Sequence, residues 1–163
     1  MGFQNTNTIF QSKEERYQYL RHTLPALLSG ESNFLANCAN SIALIQSQFQ
    51  FHWIGFYWVE NETLVLGCFQ GPVACTRIAK GKGVCGSAWE SEKIQNVPNV
   101  DEFPGHIACS SLSKSELVIP LKSNDGKVLG VLDIDSEHLH SFDECDEREM
   151  SVLMEVLLKT LEA

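Results

Sequence analysis

From Ser12 onward, apolar residues recur every three or four positions, with Tyr17, Leu20, Leu24, Leu27 and Leu28 on one face. That period predicts an amphipathic helix. Ser12 to Glu15 form a capping-box pattern at its start, and Pro25 should kink or split it. A second stripe, Phe34, Leu35, Cys38, Ile42 and Ile45, predicts a helix over 32–48. The pattern then changes. Residues 51–59 are aromatic and β-branched and predict a strand, which turns through 59–63 into a second strand at 64–69. Segments 116–122 and 127–135 flank Asp125-Gly126, a strong hairpin signal. Ser141 to Glu144 fit another capping box and open a last helix, with Met150, Leu153, Val156, Leu157 and Leu161 facing inward. Helix, helix, hairpin, excursion, hairpin, helix is an α+β order. Adjacent hairpins favour an antiparallel sheet, with three helices covering one face. The excursion, residues 71–116, reads as a long loop, and long loops in compact domains are usually functional.

The chain has 163 residues, of which 44% are hydrophobic. That suits one domain with a sizeable core, placed at 13–163 behind a tail at 1–12. The net charge is -9 and no Lys or Arg run occurs. Nucleic acid and anionic membranes are therefore not expected partners. No apolar stretch is long enough to span a bilayer, and no secretory signal is legible. Six cysteines without such a signal argue for the reducing cytoplasm, where paired thiols are usually catalytic, transient or metal-binding.

Cys38 and Cys68 fall on periodic apolar faces and read as core residues. Cys145 sits in the first turn of the last helix among Asp143, Glu144, Asp146 and Glu147, which oppose a thiolate, so it reads as inert. Cys75, Cys85 and Cys109 all lie in the excursion, where chemistry and packing are equally good readings. Together with His106 they could offer four zinc ligands, but the tight Cys-x2–4-Cys knuckle of structural zinc is missing. His106 and Cys109 also suggest a nucleophile pair, although a surface-loop histidine is the simpler reading. Asp133 and Asp135 alternate onto one face of a strand, and pairing across the Asp-Gly turn brings Glu116 opposite residues 134–135. Three converging carboxyls are costly unless they hold a cation, a metal or a proton. Trp53 and Tyr57 share a strand face, either as core or as the wall of a pocket.

The blocks at 71–89, 99–121 and 130–136 together resemble the free methionine-(R)-sulfoxide reductases, single-domain enzymes of GAF fold. The likeness runs from about residue 33 to 160, and its cysteine-bearing blocks are more specific than the general GAF pattern. It implies a central six-stranded antiparallel sheet with helices packed on it. It further implies that Cys109 is the nucleophile, with Cys85 as resolving cysteine and Cys75 as the additional or alternative one. Glu116, Asp133 and Asp135 match the acidic substrate site, and Trp53 and Tyr57 the pocket aromatics. The activity implied is reduction of free L-methionine-(R)-sulfoxide by thiolate attack, through a sulfenic acid and an intramolecular disulfide. Thioredoxin would be the external reductant, no bound cofactor is needed, and a homodimer is compatible. In that scheme Gly81, Gly83 and Gly86 would let a mobile arm carry Cys85 to Cys109. The competing reading is a non-catalytic GAF module that binds a small ligand or senses redox state. A sensor of that kind is usually fused to an output domain.

Overall fold

The computed structural model of the protein describes residue 10, residues 12–105 and residues 111–161. The order is α1 (Lys13–Leu28), α2 (Phe34–Phe49), β1 (Trp53–Glu60), β2 (Thr63–Gln70), β3 (Arg77–Ala79), α3 (Gly83–Ser91), β4 (Gln95–Val97), β5 (Ser115–Lys122), β6 (Val128–Ser136) and α4 (Glu144–Leu158). The six strands make one sheet in the order β3-β2-β1-β6-β5-β4, with every neighbouring pair antiparallel. This is the α+β architecture the hairpins predict.

Helix α1 opens on the expected box, with Ser12 Oγ accepting from Glu15 N and the Glu15 carboxylate accepting from Ser12 N. It then runs unbroken through Pro25. Pro25 is exposed, while Leu20, Leu24 and Leu28 on the opposite side are buried. The core contacts on both sides of the proline hold the helix together.

Helix α4 starts two residues later than the Ser141–Glu144 pattern suggests. Its cap is Asp143, which accepts from Cys145 N and Asp146 N, and Asp146 returns the bond to Asp143 N. Ser141 instead donates to Ser136 Oγ and to the His138 carbonyl, closing the turn after β6. A carboxylate at the cap also suits the positive end of the helix dipole better than a hydroxyl. Leu35 and Leu161, expected inside, are 65% and 47% exposed.

Helices α1, α2 and α4 pack on one sheet face around Tyr17, Leu20, Ile42, Phe56, Leu132 and Leu153. The other face carries a second apolar cluster under α3, including Trp53, Tyr57, Cys85 and Val118. Residues 71–116 are therefore not one long loop, because β3, α3 and β4 lie within them. Cys85 is on a packed helix, 3% exposed, rather than on a swinging arm. The glycines have a different use. Gly81 and Gly83 take φ of +72° and +61° in the turn that enters α3. A Cβ at Gly86 would collide with the Ala79 carbonyl oxygen, so this residue lets α3 lie directly against β3.

Candidate active site

The sheet register assembles the site. Trp53 pairs with Asp135, Asp135 with Glu116, and Gly55 with Asp133. Directly paired residues share a face, so Trp53, Asp135 and Glu116 form a row across β1, β6 and β5. Asp133 and Tyr57 follow on the same face, two and four residues along their strands. The Asp-Gly hairpin fixes this register, and Glu116 meets Asp135 within the range expected. A Cβ at Gly55 would strike the Trp53 ring and the Phe69 side chain, so glycine there lets the indole lie flat over β1.

Helix α3 closes the row from above. Cys85 Sγ donates to Glu116 Oε1 over 3.8 Å, and a carboxylate oxygen of Asp133 lies within 4.8 Å of the Cys85 sulfur and of a Glu116 carboxylate oxygen. Asp135 and Ser113 line the same cavity. Glu116 and Asp133 are each only 6% exposed. Among the described residues, Asp133 Oδ1 has no hydrogen-bond partner.

Burial dominates the electrostatics. It pushes the Asp135 carboxyl up to about 6, with Ser113 and the nearby His52 pulling the other way. Glu116 rises well above the usual carboxylate range, first from burial and then from the charges of Asp133 and Asp135. Asp133 rises for burial and for Asp135. The Cys85 thiol is also pushed up, by burial and then by Asp133 and Glu116. The carboxyls of the site are thus all shifted toward holding a proton, the direction a general acid requires.

The aromatic wall is in place. The Trp53 and Tyr57 rings stack with centroids 5.9 Å apart. Both also hold the chain that follows β2. Trp53 Nε1 donates to the Pro72 carbonyl over 3.1 Å, and the Tyr57 hydroxyl donates to the Cys75 carbonyl over 2.9 Å. The cavity between wall and carboxyls is lined by Trp53, Tyr57, Cys85, Glu116, Asp133 and Asp135, with Pro72, Val73 and Ser113 at its edge.

Cys75 is held in a disulfide, whereas Cys38, Cys68, Cys85 and Cys145 are free. A disulfide sulfur is not a zinc ligand, which removes Cys75 from the four-residue zinc set. Cys109 and His106 lie outside the described residues. Cys38 belongs to the core under α2 and Cys68 packs against it, as expected. The Cys145 thiol is raised by burial, with Asp143, Asp146 and Glu149 adding to the rise against Arg148. Ser113 and Pro72 were not singled out by their sequence. Ser113 lies in a Ser-rich stretch with no period, and Pro72 contributes only its carbonyl, which no side-chain pattern can reveal.

The GAF domain family matches residues 32–161. The GAF domain-containing protein A of Dictyostelium discoideum is 56% identical over 147 residues, spanning 90% of this chain and 92% of its own. The free methionine-R-sulfoxide reductase of Escherichia coli strain K12 is 44% identical over 151 residues, spanning 92% of this chain and 91% of its own. Among solved structures, the free methionine-R-sulfoxide reductase from Neisseria meningitidis in complex with its substrate superposes with a TM-score of 0.89 at 44% identity, covering 94% of each chain.

Proposed function

Because the chain belongs to the GAF-domain family of free methionine-(R)-sulfoxide reductases and is an oxidoreductase, we propose that it reduces free L-methionine-(R)-sulfoxide to L-methionine by a thiol cycle in this pocket. The observation that carries the reading is the buried Glu116–Asp133–Asp135 cluster beside a disulfide-bonded Cys75. Buried acids line the cavity, and the disulfide-bonded Cys75 is tied to its aromatic wall through the Tyr57 hydroxyl.

The chemistry assigns each group a task. The thiolate of Cys109 attacks the sulfoxide sulfur, because thiolate is the strongest nucleophile a side chain offers to it. Ser113 lines the cavity. The sulfoxide oxygen takes a proton from the carboxyl cluster and transfers to sulfur, so methionine leaves and Cys109 becomes a sulfenic acid. A second thiol condenses with the sulfenic acid, expelling water and forming a disulfide. The disulfide state of Cys75 supports Cys75 in that role. Cys85, free and bonded to Glu116, is suited to the substrate pocket, and as resolving cysteine it would first have to leave α3. External thioredoxin then returns both sulfurs to thiols, so no bound cofactor is required. A reducing cytoplasm would supply that partner.

The ammonium group of the substrate is the natural partner for Asp133 Oδ1, with Trp53 and Tyr57 offering ring faces to a cation and apolar surface to the methylenes. The test is NADPH oxidation coupled through thioredoxin and its reductase on adding the free sulfoxide. We expect consumption equal to the R epimer supplied and none with the S epimer. No consumption, with no methionine formed in a single turnover, would overturn the assignment.

A further inference from the structure

We propose that Cys85, Glu116 and Asp133 form a zinc-binding site that closes the substrate pocket reversibly. The three ligand atoms, one sulfur and two carboxylate oxygens, lie within 4.8 Å of one another. Tetrahedral zinc, with about 2.3 Å to sulfur and about 2.0–2.2 Å to oxygen, draws its ligands to such separations with small side-chain adjustments. All three residues are more than nine-tenths buried. A second observation points the same way: Asp133 Oδ1 is buried with no hydrogen-bond partner among the described residues, and a cation is what a buried carboxylate oxygen of this kind accepts.

The donor set selects the metal. Calcium and magnesium take oxygen ligands and do not favour a thiolate. Fully soft copper(I) does not favour two carboxylates. Zinc accepts thiolate and carboxylate together, and three protein ligands with one position open is the usual form of an exchangeable zinc site. All three ligands line the cavity walled by Trp53 and Tyr57. The three ligands come from α3, β5 and β6, so the metal would pin α3 to the sheet. It would also take the oxygen that the proposed substrate ammonium uses, making zinc and substrate mutually exclusive. The inhibitory consequence rests on the reductase reading, whereas the binding itself does not.

The experiment uses the whole protein with the Cys75 disulfide intact and no added thiol, titrated with Co2+ as a spectroscopic substitute for zinc. We expect a near-ultraviolet thiolate-to-cobalt band that saturates at one equivalent and is abolished by one equivalent of Zn2+ or by excess free methionine. Cys85→Ser should lose the band. Asp133→Asn and Glu116→Gln each remove one of three ligands and should keep a band only with affinity weakened by at least about 100-fold, beyond the roughly 10- to 100-fold typical when only a ligand's outer-shell partner is lost. Absence of the band in the wild type, or its persistence in Cys85→Ser, would overturn the proposal. If Cys85→Ser does not fold by circular dichroism, unchanged Co2+ affinity in both carboxamide variants overturns it equally. In the coupled assay Zn2+ should inhibit competitively and EDTA should restore the rate. An inactive protein that still binds Co2+ would count against the reductase reading alone. A fully active protein without the band would count against the zinc site alone.

Discussion

Cys85 lines the pocket and Cys75 is tied to the pocket's aromatic wall, and the two are in opposite states. The first is disulfide-bonded with its carbonyl held by Tyr57, and the second is a free thiol facing Glu116. A resolving cysteine must reach the sulfenic acid, and sulfurs on different elements meet only when their Cα atoms approach within about 7 Å. Cys75 sits on a short connection between β2 and β3, whereas Cys85 is fixed on a helix packed by Gly86. Cys75→Ser should therefore yield one methionine per protein and then stall under thioredoxin. Cys85→Ser should keep turning over with a raised KM. Steady thioredoxin-dependent turnover in Cys75→Ser with stalling in Cys85→Ser would reverse the two roles. Asp135 gives a second residue-scale expectation. Its carboxyl rises from 3.8 to about 6 in the fold, so the folded chain keeps a proton that the unfolded chain has lost. Stability contributed by that proton is present below about 3.8 and is lost as pH rises to about 6. Glu116 and Asp133 shift in the same direction and carry the loss to higher pH. Urea midpoints should thus fall between mildly acid and neutral pH. Asp135→Asn should flatten the part of that slope below about pH 6 and reduce activity. A wild-type midpoint that rises over the same interval would contradict the buried-acid account.

Helix α3 is the element that turns a sheet face into a site, and its seat depends on one missing methyl group. A Cβ at Gly86 meets the Ala79 carbonyl oxygen, which is backbone and cannot rotate away. Gly86→Ala should push α3 off β3, destabilise the protein by about 1–3 kcal/mol and displace Cys85 from Glu116. We expect a several-fold fall in kcat/KM with the fold retained, read by activity beside urea denaturation. An unchanged kcat/KM would mean that the seating of α3 does not position the pocket. This element was also the hardest to read in the sequence. Gly83 to Ser91 holds two glycines, is nine residues long and has no side-chain cap bond, so propensity, period and boundary signals all fail together. Strands β3 and β4 have three residues each, too short for alternation to register. By contrast, the hairpin through Asp125-Gly126 fixed its own register, and with it the meeting of Glu116 and Asp135. Pro25 misled because local chemistry predicts a break, while the buried leucines on both sides decide otherwise. The cap of α4 was ambiguous for a plainer reason. Ser141–Glu144 and Asp143–Asp146 both fit a box, and only the bonds of Ser141 to Ser136 and His138 settle which one forms.

At the scale of the molecule, the three long helices crowd one sheet face and leave the other to one short helix and the chain after β2. That asymmetry leaves a cavity floored by carboxyls and walled by stacked aromatics. The helix-covered face was legible in the periodic stripes. The cavity was not, because it depends on how α3 and the Pro72–Cys75 segment settle on the sheet. Its shape bears on the substrate. Pro72 and Cys75 are both tied by their carbonyls to the aromatic wall, so a peptide chain entering beside the indole would have to break those bonds. The floor offers Asp133 Oδ1, buried and unpartnered among the described residues, to a positive group. A free amino acid brings an ammonium to it. An N-acylated one brings a neutral amide and leaves the oxygen unsatisfied, at about 1–3 kcal/mol for a neutral buried group and more for a charged one. Sites that hydrogen-bond one substrate group can reject the analogue lacking it by about 10⁴ or more. We therefore expect kcat/KM for free L-methionine-(R)-sulfoxide to exceed that for its N-acetyl derivative by at least about a thousandfold. Asp133→Asn should shrink that ratio chiefly by slowing the free substrate. Equal kcat/KM for the two compounds in the wild type would mean that the carboxyl cluster serves only as a proton store, and that the ammonium is bound elsewhere or not at all.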